Sequence, residues 1–98
     1  MRHFFRTHLT PAAVIQAADA FFPALQLAPS GAGGARRRSF GGPLGTMTLS
    51  AKPEGGHYTF VEVHTDQMGE SRLDRNVKRF FVTLHRQADP AHTLEASY

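Results

Sequence analysis

Two segments of this chain carry the same apolar stripe. Val14, Ala18, Phe21, Phe22 and Leu25 fall at i, i+4, i+7, i+8 and i+11, and Leu73, Val77, Phe80, Phe81 and Leu84 repeat that spacing. At 3.6 residues per turn each set forms one face of a helix. A helix with one apolar face must bury that face against another element. The stretch between the two supplies a partner. Met47, Leu49 and Ala51 alternate with Thr46, Thr48, Ser50 and Lys52, which predicts a half-buried strand with one wet face. Pro53-Glu54-Gly55-Gly56 reads as a hairpin turn, and His57 to Thr65, rich in Tyr, Phe, Val and Thr, as its second arm. The predicted fold is therefore α+β. It is a two-layer sandwich in which a small antiparallel sheet of 3–4 strands packs against an N-terminal helix and a longer C-terminal helix. The shared stripe follows from this common packing need, and nothing in the strands supports an ancient duplication.

Local signals set the boundaries. Thr10 is a natural N-cap, and Pro11 then occupies the first helical position, where its missing N–H is harmless. Pro23 inside the stripe costs about 3 kcal/mol in a helix interior, so the first helix should kink or stop near Phe22, leaving Ala24 to Leu27 as a loose turn. Ser71 with Asp74 three residues on resembles a capping box for the second helix, and Asp89-Pro90 stops it. Arg2 to Leu9 reads either as a short strand or as a flexible arm. Arg37 to Phe40 begins another strand, ended by Gly41-Gly42-Pro43. Neither face of His57 to Thr65 is purely apolar, so either a bulge switches the buried side or Tyr58 and Phe60 cover the sheet's outer surface. Residues 1–88 form a single domain with a flexible Gly-rich loop at 28–35, and 89–98 a loose tail.

Composition narrows the function classes. Ninety-eight residues allow one core. The absence of cysteine removes a disulfide framework, a thiolate zinc site and a cysteine nucleophile. Ala12 to Leu27 is the most apolar stretch, but Gln16, Asp19, Pro23 and Gln26 interrupt it, and a membrane span needs about 20 apolar residues. The basic N-terminus has no apolar core behind it, so no signal peptide is expected. The expected location is the cytoplasm, with the periphery of a membrane complex as the further option.

The entry Thr10-Pro11-Ala12-Ala13-Val14, the strands around Gly45 to Ser50 and Gly56 to Val63, and the terminal helix from Leu73 to Leu84 together resemble, in layout, a shortened helix-grip domain of the START and polyketide-cyclase type. Small proteins of the polyhydroxyalkanoate-granule kind have a similar element order. The resemblance carries no catalytic motif. It implies a pocket for an apolar ligand between the second helix and the sheet, lined by Met47, Leu49, Phe60, Val77, Phe80 and Phe81. Full helix-grip domains use several more strands to build that cavity.

Residues that could carry chemistry are few. The six histidines show no metal-ligand spacing, so no metal is expected. Glu62, His64 and Asp66 form the sole acid–base candidate. Gly31-Ala32-Gly33-Gly34 and Gly41 to Gly45 lack the Lys-Ser/Thr of a phosphate loop. The expectation is a protein that is not an enzyme and has no cofactor. The basic residues say more. Arg72, Arg75, Arg79 and Arg86 gather on one side of the second helix, and Arg36, Arg37 and Arg38 add a second cluster. Eight Phe and two Tyr are many for this length: either they form a Phe-rich core, or some rings are exposed and cover a partner or a second copy. These features predict an accessory or assembly subunit that docks on a larger protein complex through an Arg- and Phe-rich surface. An anionic membrane surface and a second copy are further candidate partners. Nucleic acid is disfavoured, because there is no binding motif and the net charge is only +3.

Overall fold

A computed structural model describes residues 1–31 and 34–88. The chain runs β1 (Arg2–Thr7), α1 (Pro11–Phe21), a 3-10 turn (Pro23–Leu25), β2 (Ala28–Pro29), β3 (Arg37–Gly42), β4 (Gly45–Glu54), β5 (Tyr58–Thr65) and α2 (Arg72–Ala88). The strands form one antiparallel sheet in the order β1-β5-β4-β3-β2. Both helices cover the same face of it, so the fold is a two-layer α+β sandwich. The sheet has five strands because Ala28 and Pro29, read from sequence as loop, pair with Gly41 and Phe40. Of that loop, Ala32 and Gly33 lie outside the described residues, as does the tail at 89–98.

The helix ends follow their local chemistry. The Thr10 hydroxyl accepts a hydrogen bond from the Ala13 N–H at 3.1 Å, with Pro11 at the first position. α1 stops at Phe21, and Pro23 opens the 3-10 turn. Gln26 then takes a left-handed conformation (φ 64°) that reverses the chain. At α2, Ser71 Oγ accepts from the Asp74 N–H at 3.0 Å. The return bond differs from a standard capping box: Ser71 Oγ donates to the Asp74 carboxylate instead of Asp74 reaching the Ser71 backbone.

β1 is a strand, held in register along β5 from Arg2↔His64 to Thr7↔Thr59. Its reasons are tertiary. Phe5 stacks on Phe81 of α2 with ring centres 5.1 Å apart, and His3 bonds Asp74. On β5 the alternation is regular: Thr59, Val61 and Val63 are buried, while Tyr58, Phe60, Glu62 and His64 face away from the helices. Of the two alternatives, the outer-surface placement of Tyr58 and Phe60 is the one observed.

The core sits where the two stripes meet the sheet. Phe22 is its hinge: its ring lies 5.3 Å from Phe40 of β3 and 4.9 Å from Phe80 of α2. Val14, Ala18, Leu49, Ala51, Val61, Val63, Leu73, Val77 and Leu84 close around these rings. In each helical Phe pair one ring is fully buried (Phe22, Phe80) and its neighbour (Phe21, Phe81) lies at the margin. Burying a Phe or Leu side chain contributes about 1.5–3 kcal/mol, so this cluster is the main source of stability. No helix among the described residues is long and apolar enough to cross a membrane.

Candidate functional site

Among the described residues nothing covers the face of the sheet opposite the helices, and that face carries their exposed aromatic rings. β1 presents Arg2, Phe4 and Arg6, and β5 presents Tyr58, Phe60, Glu62 and His64. Register places Phe4 beside Glu62 and Arg6 beside Phe60, with Lys52 of β4 across Phe60 on its other side. Phe4 and Phe60 stack with centroids 5.5 Å apart. Phe4 remains 50% exposed. The Arg2 guanidinium lies 4.9 Å from the centre of the Phe4 ring, and Arg6 and Lys52 lie 5.0 and 5.7 Å from that of Phe60. Such cation–π contacts are worth about 0.5–1 kcal/mol each at exposed sites. Beyond them the His8 and Tyr58 rings approach to 4.7 Å.

The charges on this face are largely answered within it. Arg2 pairs with Glu62 at 2.6 Å and Arg6 with Glu54 at 2.6 Å. The Arg2 hydrogen bonds, followed by the His64 contact at 3.2 Å, hold the Glu62 carboxyl below the usual carboxylate range. Glu62 is therefore ionised at neutral pH and occupied by its partners. Asp66 does not join it. Its carboxylate accepts from the Thr46 N–H at 2.9 Å and from Gln67 at 2.8 Å, and these bonds lower its pKa. Asp66 clips the start of β4 to the end of β5, so Glu62, His64 and Asp66 do not converge as an acid–base trio. No group of three His, Cys, Asp or Glu among the described residues has the geometry to hold a metal.

The structure also divides the arginines read from sequence. Strand alternation splits the Arg36-Arg37-Arg38 run. Arg36 lies in the turn before β3 and Arg37 faces the open side. Arg38 faces the helix layer and donates to Asp19 of α1 at 3.0 Å. They are three separate groups, not one cluster. Arg72, Arg75, Arg79 and Arg86 are all exposed along α2, with no ion pair among the described residues.

The proposed apolar pocket is corrected by the same alternation. Met47, Leu49, Val77 and Phe80 are core residues in contact with the common cluster, and Phe81 packs at its margin. Phe60 is on the other side of the sheet, because Val61 and Val63 take the inward positions of β5. The six residues share no single space, and the Phe22, Phe40 and Phe80 rings meet between α2 and the sheet.

One constellation was missed from sequence. Asp74 is fully buried at the first turn of α2 and accepts from three side chains: His3 Nε2 at 2.7 Å, Thr65 Oγ1 at 2.8 Å and Ser71 Oγ at 2.5 Å. Since a carboxylate only accepts, His3 Nε2 carries the hydrogen. Ser, His and Asp meet here, but the carboxylate is the hub. The imidazole does not stand between it and the hydroxyl, so this is not a nucleophile–imidazole–carboxylate relay; the three bonds clamp β1 and β5 to the start of α2. The Ser71–Asp74 spacing was its one sequence signal; His3 lies 71 residues from Asp74 and gave none.

Comparison with protein-family models, with curated proteins and with solved structures gives no match to this chain. The reading of function therefore rests on the geometry above.

Proposed function

We propose that this domain is a non-catalytic docking module that joins a protein assembly through the uncovered face of its sheet. The observation that carries the reading is the exposed Phe4–Phe60 stack, flanked by Arg2, Arg6 and Lys52. Aromatic residues and arginine are the types enriched at protein interfaces. Arg2 and Arg6 already have carboxylate partners in Glu62 and Glu54, so the face presents alternating signs instead of a uniform positive field. That pattern favours a protein with matching alternate charges over a polyanion. The ring faces are also engaged, by each other and by cations, which leaves little free π-surface for stacked bases.

The test places a photo-crosslinking benzoylphenylalanine at position 4 and, as a control on the helix side, at position 82. Irradiation in the native lysate should yield a discrete adduct from position 4 and none from position 82. The double variant Phe4→Ser/Phe60→Ser should reduce recovery of the same partner at least tenfold. Equal adducts from both positions, or capture unaffected by the double variant, would remove the sheet face as the docking surface.

A further inference from the structure

A second surface lies on the helix side, away from the open sheet face. A groove of about 440 Å³ runs between α2 and the two chain reversals that face it. Arg72, Asn76 and Arg79 form one wall. Leu25 of the 3-10 turn and Pro43 and Leu44 of the β3–β4 turn form the other. At about 100° per residue, positions 72, 76 and 79 fall within about 60° of one another, so they share one line of the helix.

Three features distinguish this groove from a solvated helix face. No Asp or Glu lines it, and neither Arg72 nor Arg79 has an ion-pair partner among the described residues. This contrasts with Arg2 and Arg6, whose carboxylate partners are in place. The facing wall is apolar apart from Gln26. And the Asn76 side chain is half-used: its Nδ2 donates to the Arg72 carbonyl at 2.9 Å, while its Oδ1 is shielded from water and has no partner. A shielded acceptor without a donor is uncommon in folded proteins.

We infer that this groove binds an acidic peptide segment in an extended conformation. Each part of such a ligand answers one feature. Arg72 and Arg79 are two turns apart, about 10 Å along the axis at 1.5 Å per residue. In a polyproline II segment, residues three apart lie on the same side and are separated by about 9 Å. Two Glu residues with that spacing reach both guanidinium groups, whose planar forks suit carboxylates. Aliphatic side chains between them rest on Leu25, Pro43 and Leu44. A backbone N–H of the peptide supplies the donor that Asn76 Oδ1 lacks, once a side-chain movement on binding opens that acceptor. A free small anion would satisfy the arginines but neither the apolar wall nor the Asn76 acceptor.

The probe is a fluorescein-labelled peptide, Gly-Glu-Leu-Leu-Glu-Gly, followed by fluorescence anisotropy with the full chain. The control peptide carries Gln in place of both Glu. The expected result is saturable binding of the Glu peptide, at least tenfold tighter than the Gln peptide and weakened by added salt. Arg72→Ala/Arg79→Ala should lose tenfold or more. Arg75→Ala/Arg86→Ala removes the same charge from the same helix and should lose less than twofold. Asn76→Leu should weaken binding severalfold without lowering the urea midpoint, because it removes the acceptor but keeps the volume. Phe4→Ser/Phe60→Ser should bind the peptide normally, so failure here is separable from failure of the sheet-face reading. The inference is overturned by equal binding of the Gln peptide, by equal losses in the two arginine pairs, or by unchanged affinity in Asn76→Leu. Displacement of the peptide by millimolar inorganic phosphate or octanoate as effectively as by unlabelled peptide would also overturn it.

Discussion

Replacing Asp74 with Ala should cost this protein a large share of its stability. The substitution leaves His3, Thr65 and Ser71 with buried or half-buried donors aimed at nothing. Each hydrogen bond to a charged acceptor is worth about 1.5–3 kcal/mol, but the three share one carboxylate and do not add. Leaving one buried donor unsatisfied costs about 1–3 kcal/mol, and with three donors orphaned at once the expected loss is about 3–5 kcal/mol. Domains of this size are stable by about 5–15 kcal/mol, so Asp74→Ala should lower the urea midpoint sharply and Tm by about 15–30 °C. Far-UV circular dichroism against urea at pH 7 measures it. The charge can be separated from the shape with Asp74→Asn. Burial pushes the Asp74 carboxyl up, and the bonds from His3, Ser71 and Thr65 outweigh burial, so the folded pKa lies below the ordinary value of 3.8. The unfolded chain thus takes up its proton first as pH falls. The stability Asp74 contributes is complete above the unfolded pKa and is lost as pH falls through the lower folded pKa. The stability difference between wild type and Asp74→Asn should therefore be steady near pH 5 and shrink below about pH 4. A loss under about 1 kcal/mol for Asp74→Ala would refute the clamp, as would a difference that grows on acidification.

Other substitutions test the placement of single residues. Phe80→Ala should cost about 3–5 kcal/mol, whereas Phe60→Ser, on the open face, should cost under about 1.5 kcal/mol by the same urea titration; equal costs would contradict the sheet's orientation. Gly42→Ala should destabilise by about 2 kcal/mol or more, because its Cβ would collide with the backbone carbonyl of Gln26, while Gly55→Ala meets nothing and loses only its left-handed turn geometry, about 1 kcal/mol. Thr10→Ala should lose about 1 kcal/mol with the Ala13 bond, and Thr10→Ser should recover most of it.

The sheet face and the groove ask different things of a partner. The face offers aromatic rings among charges that are largely paired, and the groove offers arginines with no ion-pair partner among the described residues beside a mostly apolar wall. Of the candidate site, the row of arginines along one side of α2 was expected from helical spacing, and composition raised exposed Phe rings as one of two options. Their grouping was not. Arg36, Arg37 and Arg38 are adjacent in sequence, yet strand alternation turns Arg37 and Arg38 to opposite sides of the sheet. Arg2, Arg6, Phe4 and Phe60 looked unrelated until the β1–β5 register put them in adjacent rows.

Local sequence is enough for the two helices, their N-caps, the stop before Pro23 and the alternating strand from Gly45. These depend on neighbours within a turn or two of chain, where period, proline geometry and capping act directly. Tertiary structure alone decided that Arg2 to Thr7 is a strand, that Tyr58 and Phe60 face outward, and that His3 meets Asp74. The first and last depend on residues some 50 to 71 positions apart, as in the bonds from Thr59 to Leu9 and from His3 to Asp74. On a strand with two mixed faces, local pattern leaves the buried side open. It is settled by which face the helices' apolar stripes can reach, and here they take Val61 and Val63.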